Sequence, residues 1–239
     1  MQDYNLYQTF AKEKFGFTFT NPEFLVSALT HRSYMNEHKK SAKEHNERLE
    51  FLGDAVLELV VTEYLYGNYS EPEGILTNWR AALVRTESIG AAGAKLDLGQ
   101  LLRLSRGEKH GSERAREQIL ANAFEAVTGA IYLDKGYDAA KEFIHQNILT
   151  TFEEILSTGS WRDPKSRLQE VAQSIEGQTP SYKVIEETGP DHDKIFTLGV
   201  YVGGKLKGKG TGPSKQVAQQ EAAKAALETY GSKAKHNAS

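Results

Sequence analysis

Apolar positions return at helical spacing through roughly the first two thirds of this 239-residue chain and then switch to strand spacing. The helical stretches predicted are Tyr4–Phe15, Pro22–Thr30, His45–Tyr66, Glu73–Leu96, Arg114–Asp134 and Tyr137–Leu156, with hardly a strand signal among them. A small polar run, Ser157-Thr158-Gly159-Ser160, interrupts the pattern and reads as a linker. Beyond it, Asp163-Pro164 opens a helix that reaches Ile175. The segments SYKVIEE, KIFTLGVYV and KLKGKG then alternate with period two, parted by turns at Thr188–Asp193 and Gly203-Gly204. Pro213–Tyr230 returns to helix, rich in alanine, and Ser232–Ser239 reads as a frayed tail. The pattern predicts an all-α domain over residues 1–157 and a linker at 158–162. A small α-β-β-β-α domain should follow over 163–231, with a disordered tail at 232–239.

Two of the helices carry unusual polar residues. At roughly 100° per residue, Glu47, Glu50, Asp54 and Glu58 fall on one narrow arc of the helix His45–Tyr66, opposite Leu49, Leu52, Val56, Leu59 and Val60. A solvated acidic face explains most of this pattern. Phe51 does not fit it, because the ring lies about 40° from the carboxylate arc and needs an apolar surface, one a partner must supply if the subunit has none. In Arg114–Asp134 the chain is apolar nearly all round, yet Glu125 sits in the middle with Asn122 one turn earlier. A buried carboxylate is costly unless compensated. Either an arginine pairs with it (Arg48, Arg80, Arg85, Arg114 and Arg116 are available), or Glu125 joins Glu50 and Asp54 around a divalent cation. Oxygen-only donors would select Mg²⁺ or Mn²⁺ over zinc. Spacing alone leaves both readings open.

Composition narrows the class. With 39% hydrophobic residues the chain can bury a core, and with no cysteine it can hold neither a disulfide framework nor a thiolate zinc site. No apolar run reaches membrane-spanning length and no secretory signal opens the chain, so a soluble cytoplasmic protein is expected. The net charge of −3 conceals an asymmetry: residues 1–160 hold 17 Lys/Arg against 23 Asp/Glu, whereas residues 161–239 hold 12 against 9. The second domain is the one suited to a polyanion.

The stretch NERLEFLGDAVL (Asn46–Leu57) resembles the signature of the ribonuclease III family, endonucleases specific for double-stranded RNA. LVSALTHRSY (Leu25–Tyr34), Glu73-Gly74 and ILANAFEAVTGAIYLD (Ile119–Asp134) are similar to its other blocks. PKSRLQEVAQ, GPDHDKIF and GKGTGPSKQVAQQEAAKAAL resemble the double-stranded RNA-binding domain, so the resemblance covers essentially the whole chain. It implies that Glu50, Asp54 and Glu125 bind metal, with Asn122 standing where most members have aspartate. Asp54 and Glu125 would be catalytic, with Glu47 and Glu73 assisting at the cut site. Phe51 would plug into a second subunit of a homodimer. The implied reaction is Mg²⁺-dependent cleavage of both strands, with Mn²⁺ able to substitute and no small-molecule cofactor. It would leave 5′-phosphate and 3′-hydroxyl ends with short 3′ overhangs, and ribosomal RNA precursors are the implied substrates. The alternative is a non-cleaving duplex-binding protein of the same fold, inactivated through Asn122. Glu58 is an addition to the family pattern and reads as a solvated glutamate.

For duplex binding, the resemblance places Ser166, Gln169 and Glu170 at one minor groove and His192 at the next, across about 16 base pairs. Ser214 and Lys215 would meet phosphate at a helix start. Gln216 and Gln219 hold positions that are often basic, for which Lys205, Lys207 and Lys209 on the third strand are expected to compensate. Arg114 and Arg116 are placed either to hold the cut strand or to pair with Glu113 and Glu117.

Overall fold

The helix whose middle is apolar nearly all round becomes the axle of the first unit. In the computed structural model, which describes residues 4–38, 44–190 and 194–236, helix α8 (Glu113–Lys135) buries ten residues between Ile119 and Ile131. Around it pack α2 (Pro22–Ala28), α4 (Glu47–Asn68), α6 (Thr86–Lys95) and α9 (Tyr137–Asn147). The unit is completed by α1 (Tyr4–Phe15), α3 (Arg32–Glu37), α5 (Glu73–Leu83), α7 (Arg106–Lys109) and α10 (Phe152–Thr158). Tyr69, Trp79 and Phe152 form a triangle of edge-on rings with centroids 5.3 Å apart, joining the end of α4 to α5 and α10. At the far end of α8, both oxygens of Asp134 accept 2.8 Å bonds from the Thr20 and Asn21 backbone N–H groups, tying α8 to the start of α2. Burial works to raise that carboxyl, but the backbone bonds and Lys135 hold it below the usual range.

Two predicted helices are broken. Glu73–Leu96 divides because Val84 leaves the helical region and Arg85 is extended, with Ser88 donating back to the Ala82 carbonyl at 2.9 Å. Tyr137–Leu156 divides at a 3₁₀ turn over Leu149–Thr151. There Thr150 and Thr151 hydroxyls donate to the Gln146 and Ile148 carbonyls and compete with the helix ladder. The short helices α3 and α7 lacked enough turns to show periodicity. Leu59, assigned by its arc to the core, is 57% exposed. The core side of α4 lies instead around Val56, Leu57, Val60 and Val61, all buried.

The second unit, from Gly159, opens with α11 (Pro164–Glu176), capped by Asp163. It continues through β1 (Ser181–Thr188), β2 (Ile195–Val202) and β3 (Lys205–Gly212) to α12 (Lys215–His236). The three strands are antiparallel in the order β1-β2-β3. Leu168, Val200, Ala222, Ala223, Ala226 and Tyr230 form its core. Alanines on α12 and glycines on β3 let helix and sheet approach closely: a Cβ on Gly210 would lie 2.1 Å from the Ala222 nitrogen. Helix α12 runs six residues past the predicted end at Tyr230, into the stretch expected to fray.

Candidate active site and duplex-binding surface

Helices α4 and α8 cross with their backbones in contact, and two glycines permit it. A Cβ on Gly53 would lie 1.7 Å from the Glu125 carbonyl oxygen, and one on Gly129 would lie 2.3 Å from that of Leu49. Neither position tolerates any side chain without separating the helices. This crossing brings Glu125, near the middle of α8, up against the carboxylates of α4. Burial, then the charges of Asp54 and Glu50, push the Glu125 carboxyl up to about 8. Burial together with the Glu47 and Asp54 charges also raises Glu50, partly offset by a hydrogen bond from the Asn122 side chain.

The crossing bears on the arginine reading of Glu125. The nearby charges acting on it are carboxylates, not an arginine. Arg48 lies 3.9 Å from Glu44, Arg80 donates to Thr62, Arg85 to Ser88, and Arg116 to the Lys109 carbonyl. Among the described residues no three His, Asp or Glu groups are yet drawn together tightly enough to enclose a metal ion. The donors fit one nonetheless: oxygen ligands crowded without a counter-charge are what a hard divalent cation compensates.

The other candidates are distributed around this cluster. Glu47 sits at the start of α4, 3.2 Å from Arg32 Nη1 and 3.8 Å from His45 Nδ1. Glu73 is not gathered with Glu50, Asp54 and Glu125. It opens α5, accepts from the Thr77 hydroxyl at 3.1 Å, and lines a cleft of about 460 Å³ with Thr62, Leu65, Tyr66, Leu76 and Arg80. Thr62 and Tyr66 lie about 12 and 18 Å beyond Asp54 along the α4 axis. Glu58 is exposed, as expected of a solvated glutamate. Asn122 accepts a 2.7 Å bond at Oδ1 from Gln118 Nε2. Phe51 is 82% exposed, and Leu59 and Tyr66 extend its stripe along the solvent side of α4.

In the second unit Ser166, Gln169 and Glu170 share the exposed face of α11. Ser166 donates to the capping Asp163, and Glu170 lies 3.9 Å from Arg162. Ser214 caps α12 through the Val217 N–H at 3.2 Å. Lys215 is paired with Glu187 at 3.0 Å and lies over the Phe196 ring. His192 falls outside the described residues. The expectation that Lys205, Lys207 and Lys209 act together is overturned. A bulge between Val200 and Tyr201 shifts the β2–β3 register and turns Lys207 onto Glu176, at 2.5 Å, and over Tyr230.

The glycine pair Gly53 and Gly129 is what sequence reasoning missed. The available signal was a glycine inside each of two otherwise well-formed helices, where it costs helix stability unless a close approach requires it.

Crowded carboxylates on crossed helices, followed by a module with a capped helix start and a polar helix face, define a nuclease domain joined to a duplex-RNA-binding domain. The first unit matches the family model described as Ribonuclease-III-like over residues 21–152, and the second the double-stranded RNA binding motif over residues 164–230. The chain is 44% identical over 218 residues to Ribonuclease 3 of Desulforamulus reducens, spanning 91% of this chain and 89% of that protein. It is 45% identical over 222 residues to Ribonuclease 3 of Oceanobacillus iheyensis, at 91% and 96% coverage. The nuclease domain of ribonuclease III from Campylobacter jejuni superposes with a TM-score of 0.52 at 39% identity, over 59% of this chain and 97% of that one. This chain belongs to the ribonuclease III family and is an endoribonuclease carrying a double-stranded RNA-binding domain. Among the described residues no helix is long and apolar enough to cross a membrane.

Proposed function

We propose that this endoribonuclease cuts both strands of double-stranded RNA at a divalent-metal site, with Mg²⁺ as the ion and Mn²⁺ able to replace it. The products carry 5′-phosphate and 3′-hydroxyl ends with short 3′ overhangs, and ribosomal RNA precursors in the cytoplasm are among the substrates. The observation that carries the reading is the crowding of Glu125 against Asp54 and Glu50, which pushes its carboxyl up to about 8. At neutral pH Glu125 keeps its proton in the metal-free site, and yields it as Glu50, Asp54 and Glu125 together take up the ion. When bound, the ion supplies the charge that activates water and neutralises the phosphoryl oxygens. Glu47, steadied by Arg32, adds its charge to that felt by Glu50.

Glu125→Gln should lower cleavage of a long duplex in Mg²⁺ by at least about 10³-fold, a loss of several kcal/mol of transition-state stabilisation. Duplex binding, measured by gel mobility, should stay within about twofold because it rests on the second unit. Full activity would overturn the metal assignment.

The enzyme acts as a homodimer through α4. The Campylobacter structure is described as showing flexibility in a region involved in dimer formation. Here Phe51, Leu59 and Tyr66 lie 8 and 7 residues apart on one exposed stripe, so a twofold axis at Leu59 would set Phe51 against the partner's Tyr66 cleft. Glu73 lines that cleft, and the same operation would carry it toward Glu47 and Glu50, the cluster it does not reach within one subunit. Burying each Phe ring stabilises by roughly 1.5–3 kcal/mol. Phe51→Ala should therefore raise the dimer dissociation constant by 10²-fold or more, given about 1.4 kcal/mol per factor of ten over two rings. Sedimentation velocity over a dilution series reads this out, and a variant dimeric to the wild-type dilution would place the ring elsewhere.

A further inference from the structure

Residues 159–162 fold back onto the start of α11. Gly159 has a φ of +64°, and the Arg162 N–H donates to its carbonyl at 3.2 Å, closing a turn. The Arg167 guanidinium packs over that turn, 3.5 Å from where a Gly159 Cβ would stand. Trp161 carries Arg162, whose guanidinium carbon lies 4.9 Å from the centre of the aromatic ring. Such stacking holds a planar cation in one orientation and lowers the entropy lost when it meets a partner. Its Nη1 lies 3.9 Å from Glu170 Oε2, so the group extends along the exposed face of α11 that holds Ser166, Gln169 and Glu170.

That face by itself is ill-suited to a polyanion. Of Ser166, Gln169 and Glu170 only Glu170 is charged, and its charge repels phosphate. Arg162 reverses the balance. Its contact with Glu170 is an ion pair too long for a hydrogen bond, and the guanidinium keeps donors on its other nitrogens for a second partner. Lys207 and Lys215, by contrast, are held by carboxylates at 2.5 and 3.0 Å. We propose that Arg162, steadied on Trp161, is a phosphate-binding residue for duplex RNA. It reaches the sugar-phosphate wall of the minor groove that α11 faces, and offsets the charge of Glu170 there. The proposal rests on the reading that Ser166, Gln169 and Glu170 face that groove.

The test is duplex binding by the full chain in EDTA, where no divalent ion supports cleavage. Fluorescence anisotropy of a labelled RNA duplex of about 20 base pairs, longer than the roughly 16 such a domain spans, is read at about 50 and about 200 mM KCl. Loss of one phosphate contact flattens the slope of log affinity on log salt by about 0.9. Arg162→Ala should therefore weaken binding about 10-fold at the lower salt and only about 3-fold at the higher, with circular dichroism confirming the fold. Arg162→Lys keeps the charge and should keep the wild-type salt dependence. The loss should persist in the Glu170→Gln background. A loss that disappears there would mean that Arg162 only screens Glu170, which overturns the proposal. A wild-type salt slope in Arg162→Ala overturns it as well. Gln169→Ala tests the face separately and should weaken binding with the slope unchanged. If it binds as wild type while Arg162→Ala behaves as expected, the phosphate contact stands and the placing of α11 at the groove fails.

Discussion

Both units of this chain press two backbones together through glycine, and they surround the contact with opposite electrostatics. Where α4 crosses α8, Glu50, Asp54 and Glu125 crowd one another, and burial with like charge raises Glu50 and Glu125. Around the packing of α12 on β3, several lysines already have internal partners. Lys207 is on Glu176, Lys215 on Glu187, and Lys165 donates to Gln219 at 2.7 Å. The first site holds unspent repulsion, which a divalent cation would relieve. A phosphate reaching Lys207 or Lys215 would have to displace a carboxylate, so each such contact would contribute little and be weakened by salt.

The steric half of the comparison carries the largest expected effect. Gly53→Ala sets a methyl 1.7 Å from the Glu125 carbonyl oxygen, and Gly210→Ala sets one 2.1 Å from the Ala222 nitrogen. Overpacking a core costs about 1–3 kcal/mol when side chains can yield, and more when backbone must move. At Gly53 the gain in helix propensity returns about 1 kcal/mol, leaving a net loss of about 2 kcal/mol or more. That lowers the melting temperature of the helical unit by about 5 °C or more. Gly210→Ala should lower only the transition of the second unit. Gly67, also on α4, has nothing within 4 Å of its Cβ position, and Gly67→Ala should leave the melting curve unchanged or raise it. Calorimetry of the three variants decides the matter. Equal loss from Gly53→Ala and Gly67→Ala would mean that the helix crossing is not the constraint.

Gly53 also shows where sequence reading reaches its limit. Periodicity placed α4, α8 and all three strands, because apolar residues recur at helical spacing in the first two and alternate in the strands. The lone Glu125 on an apolar helix was legible as a candidate, since a buried carboxylate has few explanations. The break between α5 and α6 was not, because Val84-Arg85 contains neither glycine nor proline and the kink is fixed by Ser88 bonding to Ala82. Lys207 could not be placed either: one bulge reverses its face, and the two glycines of KLKGKG permit a bulge without fixing where it falls. The separation of Glu73 from the carboxylate cluster depends on how α5 leaves α4, which no local pattern encodes.

The electrostatic half predicts a smaller effect, confined to one unit. The Glu125 carboxyl titrates near 8 when folded and, when unfolded, near the ordinary value of about 4.3. Between pH 7 and 9 the folded protein therefore loses a proton that the unfolded chain has already lost, so metal-free stability must fall as pH rises. No cysteine titrates in this window, and Tyr69 and Tyr137, pushed up to about 12, act only above it. His31 is lowered by burial below its usual 6.5 and acts beneath it. The melting temperature of the helical unit should drop by a few degrees from pH 7 to 9. The second unit, whose Tyr182 and Tyr230 also titrate near 12, should hold steady. Glu125→Gln removes the ionising group and should flatten the profile. Saturating Mg²⁺ should flatten the profile in the wild type too, since the metal-bound site is ionised and then holds no proton that the unfolded chain lacks. Scanning calorimetry at matched ionic strength separates these cases. A wild-type profile as flat as that of Glu125→Gln would show that the carboxylates at the crossing are not in tension.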